Sequence, residues 1–177
     1  MDHYKKSLVS KLKFKCKEAN EELSEVQSIY NIAVSEFCIA LNKFCIDSKI
    51  KNPLDSIDKD KKEKKPPISS GFKSVFFDIA KSTHPDKCRN EDGRDTFNKA
   101  VEAKKENKLG SLISIAKDLK IDISDLDYSS IREIEESIVK MKDESERIRS
   151  SYPWLWFYSE STKKDYILKK FCQDTLV

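Results

Sequence analysis

FKSVFFDIAKSTHPDKCR, residues 72–89, begins as an amphipathic helix and ends as a polar loop. Phe72, Val75, Phe76, Ile79 and Ala80 recur at spacings of three and four, so they share one helical face. Pro85 stops the helix, because its ring disfavours helical torsions at His84 and it has no N–H to donate. His84 and Asp86 are thereby placed in an exposed loop beside Lys87 and Arg89. A second amphipathic segment follows, from about Asp92 through Phe97, Ala100, Val101 and Ala103.

Upstream, residues 49–71 break all periodicity. Pro53, Pro66 and Pro67 bracket the run DKDKKEKK, which has no apolar residue and the composition of a solvated connection. Asp58, Asp60 and Glu63 interrupt its lysines and no aromatic residue is interleaved, which argues against a nucleic-acid or acidic-membrane patch. Further back, residues 4–47 contain neither Gly nor Pro. Ala19, Leu23, Val26, Tyr30, Ala33, Phe37, Ala40 and Phe44 step by four and three alternately, the pattern of a coiled-coil seam, and Leu12 extends it. At the helical rise such a helix is about 65 Å long. Val34, Cys38 and Leu41 widen the stripe, as expected where more than one neighbour packs. The helix serves either as a spacer or oligomerisation arm, or packs against its own chain.

Downstream, Asn90 or Asp92 is expected to cap the next helix, with Glu91 and Asp92 favourable at its positive end. Asn107 to Gly110 reads as an interruption, and Leu109, Leu112, Ile113, Ala116 and Leu119 form a further amphipathic helix ending around Lys120. Residues 121–128 read as an extended connector. Ser129 or Ser130 is expected to cap a second heptad helix, in which Ile131, Ile134, Ile138, Met141, Ser145 and Ile148 form the seam and Pro153 marks the end. Two such helices invite an antiparallel intramolecular pair, with a homodimer through either seam as the alternative. The tail carries Tyr152, Trp154, Leu155, Trp156, Phe157 and Tyr158 in a run, then a helix from Thr162 to about Cys172. Its aromatics either anchor a client or partner, or cap the open end of the helical pair.

The 177 residues are 38% hydrophobic and 37% charged, which predicts a thin core and long exposed helices. The net charge of +3 balances 34 basic against 31 acidic residues and demands no nucleic acid. Cys16, Cys38, Cys45, Cys88 and Cys172 have no metal-ligand spacing, and the chain has only two histidines. No metal or cofactor is expected, and a reducing, cytoplasmic setting is. No apolar run approaches the length of a membrane span, so no membrane partner is expected. His84 and Asp86 have the chemistry of an acid–base pair, yet nothing nearby supplies an orienting group or a pocket, so no catalysis by this chain is expected.

Helix, His-Pro-Asp loop, helix resembles the J-domain, the module by which DnaJ-like co-chaperones stimulate a seventy-kilodalton heat-shock ATPase. Phe76, Ile79, Ala80, His84, Pro85, Asp86, Lys87 and Phe97 match the family's pattern in register over Phe72 to about Lys105. The lysine- and isoleucine-rich, glycine-poor composition is similar to that of small J-like proteins carried by bacteriophages. The resemblance implies that His84, Pro85 and Asp86 engage the ATPase, while Lys73, Lys81, Lys87 and Arg89 steer an acidic surface on it. Departures are visible too: Phe77 and Asp78 occupy the places of a basic pair, the Tyr-x-x-Leu of the family's first helix is absent just upstream, and Ala103–Lys104 replaces Ala-Tyr. Asp78 is expected to cancel part of the field of Lys73 and Lys81.

The expected fold is therefore all-α, with a small J-domain-like unit inserted between two long helices that form an antiparallel coiled-coil arm. Four consecutive segments follow: a coiled-coil helix over 1–48, a charged linker over 49–71, the J-like unit over 72–120, and over 121–177 a pairing helix with the aromatic tail.

Overall fold

The structure, a computed structural model, describes residues 2–56, 70–86, 91–106, 108–123 and 126–175. These residues are all-α: α1 (Asp2–Ser48), a short 3-10 turn (Pro53–Ser56), α2 (Ser70–Thr83), α3 (Glu91–Lys105), α4 (Leu109–Asp118), α5 (Tyr128–Arg149), α6 (Tyr152–Phe157) and α7 (Ser161–Thr175). Most of the expected linker, including its charge run, lies outside the described residues. The chain divides into two compact units, Met1–Glu22 with Lys64–Asp143, and Leu23–Glu63 with Glu144–Val177. This division cuts across the four consecutive segments, because α1 and α5 each contribute to both units.

In the first unit α2, α3 and α4 pack on one another. Their buried faces carry Phe72, Val75 and Ile79 from α2, Ala100 and Ala103 from α3, and Leu112, Ile113 and Ala116 from α4. Small residues on α3 let it lie close to its neighbours despite a very polar sequence. The first half of α1 runs antiparallel to α4. Lys13 donates to the Ile121 carbonyl, Lys17 pairs with Asp118, and the Ser111 hydroxyl bonds Asn20 Oδ1 at 2.9 Å. Cys16 is fully buried and its Sγ donates to the Gly110 carbonyl at 3.5 Å; burial pushes this thiol up to about 12.

The antiparallel pairing of the two long helices is corrected here. Gly110, which bonds Cys16, also abuts Met141 and Ser137 of α5, while Asp127, just before α5, lies within electrostatic reach of Lys5. Position 5 thus matches 127 and position 16 matches 137–141, so in this unit α5 runs parallel to α1. The reason is topological. Antiparallel α4 carries the chain back towards the start of α1 before α5 begins, and from there α5 runs in the direction of α1. The expected cap is also displaced: Asp127 Oδ1 accepts the Ser130 N–H at 2.8 Å and the Ser129 hydroxyl at 3.0 Å. Hydrogen bonds from Ser130, then Ser129, hold the Asp127 carboxyl below its ordinary range. On α3, Asp92 sits inside the first turn rather than at the cap.

In the second unit the later half of α1 packs on α6 and α7 through Phe37, Leu41, Cys45, Trp156, Leu168 and Cys172. The Phe37 ring meets Trp156 edge-on at 5.9 Å and Phe171 at 5.3 Å. The buried stripe here moves from the expected Ala40 and Phe44 to Leu41 and Cys45, with Ala40 and Phe44 half-buried at its margin. A straight helix at 3.6 residues per turn drifts off a strict seven-residue repeat in this way. The tail therefore packs, with Trp156 buried under Lys164, although Leu155 and Tyr158 stay exposed. Burial raises the Cys172 thiol to about 11, with Cys45 contributing from alongside.

By length and composition alone, α1 is the one helix among the described residues apolar enough to cross a membrane. Its most apolar window of 18 residues has a mean hydropathy of 1.3 with at most two charges. Packing of Phe37, Leu41 and Cys45 against α6 and α7 accounts for apolar residues on this helix.

All three glycines lie inside helices, so none is free to end one. Lysines take that place. Lys49 and Lys120 have φ of 54° and 56°, and each closes a Schellman pair: Ile50 N–H to Cys45 O at 3.0 Å with Lys49 N–H to Ile46 O, and Ile121 N–H to Ala116 O at 2.9 Å with Lys120 N–H to Lys117 O. An L-residue in this left-handed region is strained, so Lys49→Gly or Lys120→Gly is expected to stabilise the fold by about 0.5–1 kcal/mol, net of the extra chain entropy of glycine. Urea titration of each variant checks this; a loss of stability would contradict the assigned backbone.

Candidate functional site

α2 and α3 form an antiparallel hairpin, and the His84-Pro85-Asp86 segment stands at its turn. Two ring contacts fix the register. His84 meets Phe97 edge-on at 5.4 Å, and Lys104 lies 4.1 Å from the centre of the Phe76 ring. The last turn of α2 is tied off tightly: His84 N–H bonds Ala80 O at 2.9 Å, and the Thr83 and Ser82 hydroxyls both reach Ile79 O, at 2.8 and 2.9 Å. Pro85 then turns the chain, as its fixed torsion and missing N–H require.

His84 and Asp86 face each other across the proline. The Asp86 N–H points at His84 Nδ1 over 3.3 Å, and Asp86 Oδ2 lies 3.5 Å from the same nitrogen. These contacts are alternatives. Nδ1 accepts from the Asp86 N–H when it carries no proton and donates to the Asp86 carboxylate when it does. Phe97 holds the ring on one side, yet the His84 side chain is 44% exposed and that of Asp86 87% exposed. Both side chains are thus open to solvent at the end of the hairpin.

Lys73 and Lys81 both lie on the exposed face of α2, where neither is ion-paired among the described residues. Lys87 and Arg89 lie outside the described residues. Phe77 sits between the two lysines, four residues from each, with 67% of its surface exposed. The same periodicity that buries Phe72, Val75 and Ile79 turns Phe77 outward, so its exposure was open to reading from sequence. Asp78 behaves differently from the expectation. It is half-buried and faces the hollow that it shares with Ser74, Asp122 and Asp127, turned well away from Lys73 around the helix, and so does little to cancel that lysine's field.

Among the described residues no three His, Cys, Asp or Glu side chains converge as metal ligands. No protein-family model, curated protein or solved structure matches the chain.

Proposed function

We propose that this chain is a J-domain-like co-chaperone, whose His84-Pro85-Asp86 loop binds a seventy-kilodalton heat-shock ATPase and stimulates its ATP hydrolysis. The observation that carries the reading is the exposed His-Pro-Asp turn of an antiparallel helix pair, with Lys73 and Lys81, not ion-paired among the described residues, on the outer face of α2. The chain itself performs no chemistry in this reading. It acts by contact, in the cytoplasm, with Pro85 setting the loop and the lysines, together with Lys87 and Arg89, favouring an acidic partner surface. The exposed Leu155 of α6 and Tyr158 just after it offer a place for a protein client.

Phe77 favours a second reading. An exposed phenylalanine where the resembled family carries a basic residue fits a scaffold protein that keeps the hairpin and no longer stimulates an ATPase. Steady-state ATP turnover by a seventy-kilodalton chaperone from the same host decides between them. The co-chaperone reading expects stimulation that His84→Gln or Asp86→Asn abolishes, while stability changes by less than about 0.5 kcal/mol because both side chains are exposed. Absence of stimulation by the unaltered protein would leave the scaffold reading.

A further inference from the structure

α1 carries a second apolar stripe, on the side away from its core. Ile32, Ile39 and Ile46 are spaced by seven and are 55%, 70% and 76% exposed. Ala33, Phe37, Leu41 and Cys45 occupy the opposite, buried face, the last three against α6 and α7. Seven-residue spacing keeps the three isoleucines in line along the helix, as in a coiled-coil seam that has no partner among the described residues. Single exposed apolar residues need no explanation, but a register of three does.

The spacing reads the same in both directions about Ile39. A second copy turned end over end about a two-fold axis there places Ile39 on Ile39, and Ile32 on Ile46. Charge follows the same symmetry. Glu36 and Lys43 flank the stripe on one side, three residues before Ile39 and four after it, and both are exposed with no ion pair among the described residues. The two-fold brings each Glu36 opposite Lys43 of the second copy, twice over. A parallel pair would instead set Glu36 and Lys43 against the uncharged Asn31 and Cys38 flank. A lipid surface would call for a basic flank, and this one sums to zero.

We propose that the outer face of α1 docks antiparallel on a second copy of this chain, about a two-fold axis at Ile39. The interface is isologous, as closed homodimers require. Three isoleucines and two charge pairs make it small, so the dimer is a weak one that forms with concentration. It is independent of the His-Pro-Asp loop and stands whichever function the loop has.

Sedimentation velocity on the full chain, from about 1 to about 500 micromolar, reads the association directly. A concentration-dependent monomer–dimer equilibrium is expected. Ile39→Lys should weaken it about 100-fold, since two buried isoleucines are lost and two like charges meet. Glu36→Lys or Lys43→Glu alone should weaken it about tenfold, as two attractions become repulsions, and the double reversal Glu36→Lys/Lys43→Glu should restore it. All three side chains changed are exposed, so folding is preserved and helix content confirms it. A monomer at every concentration overturns the proposal, as does a dimer that ignores Ile39→Lys or the single reversals. Binding to neutral or anionic vesicles that depends on Ile39, without dimers in solution, overturns it in favour of a membrane surface.

Discussion

Replacing Phe37 by alanine is expected to cost about 3–5 kcal/mol, the largest loss of any single side chain in the second unit. Phe37 is 1% exposed and stands at the junction of three helices, touching Trp156 of α6 and Phe171 of α7 edge-on. Truncation removes its transfer free energy, leaves a cavity that rigid aromatic neighbours cannot fill, and forfeits two ring pairs worth about 0.5–1.5 kcal/mol each beyond area. Phe37→Leu should cost roughly half as much, because it fills most of the volume and loses chiefly the ring geometry. Chemical denaturation gives the energies, and amide exchange gives the place: α6 and α7 should lose protection first. A cost below about 1 kcal/mol for Phe37→Ala would mean that the tail does not pack on α1 as described.

Gly71→Ala should be nearly as damaging in the first unit, for the opposite reason. A β-carbon at Gly71 would lie 2.0 Å from Ser130 Oγ and 2.6 Å from Ser130 Cβ. The hydroxyl can rotate away, but the Cβ is fixed to the backbone of α5, so α2 and α5 must separate. Overpacking of this kind costs about 1–3 kcal/mol, and it outweighs the gain of up to about 1 kcal/mol from alanine's helix propensity. Gly110→Ala meets the flexible end of Met141 at 2.6 Å and the Ser137 hydroxyl at 3.1 Å, both able to give way, and should be milder. Because Ser130→Gly removes both clashing atoms, Gly71→Ala/Ser130→Gly should recover most of the loss in a double-mutant cycle. Additivity of the two changes would show that the helices do not meet at this point.

Local patterns were legible in the sequence, and directions were not. α2 and the loop followed from five apolar residues at helical spacing and from Pro85, both properties of the segment alone. α4, α5 and α7 were likewise placed to within a few residues by their apolar periods. The direction of α5 was hidden because a heptad seam of isoleucines reads equally well up or down; α4, by carrying the chain back towards the start of α1, decided it. The stripe of α1 slipped from Ala40 and Phe44 to Leu41 and Cys45 because periods of 3.5 and 3.6 separate only over many turns. At Lys49 and Lys120 the sequence offered no signal, since lysine has no preference for the torsions that it holds there. At the loop, exposure of His84 and Asp86 was legible, while the seat of His84 on Phe97 needed the hairpin to be closed.

The chain has two tryptophans, Trp154 and Trp156, and both belong to the second unit. Its emission, excited beyond the tyrosine band, is therefore silent about the helices that carry the His-Pro-Asp loop. Far-ultraviolet dichroism, by contrast, sees every helix. Heating the unaltered protein while recording both signals thus separates the two halves optically. A dichroic transition that precedes the emission change would mark the loop-bearing unit melting alone, and coincident curves would mark a single cooperative fold.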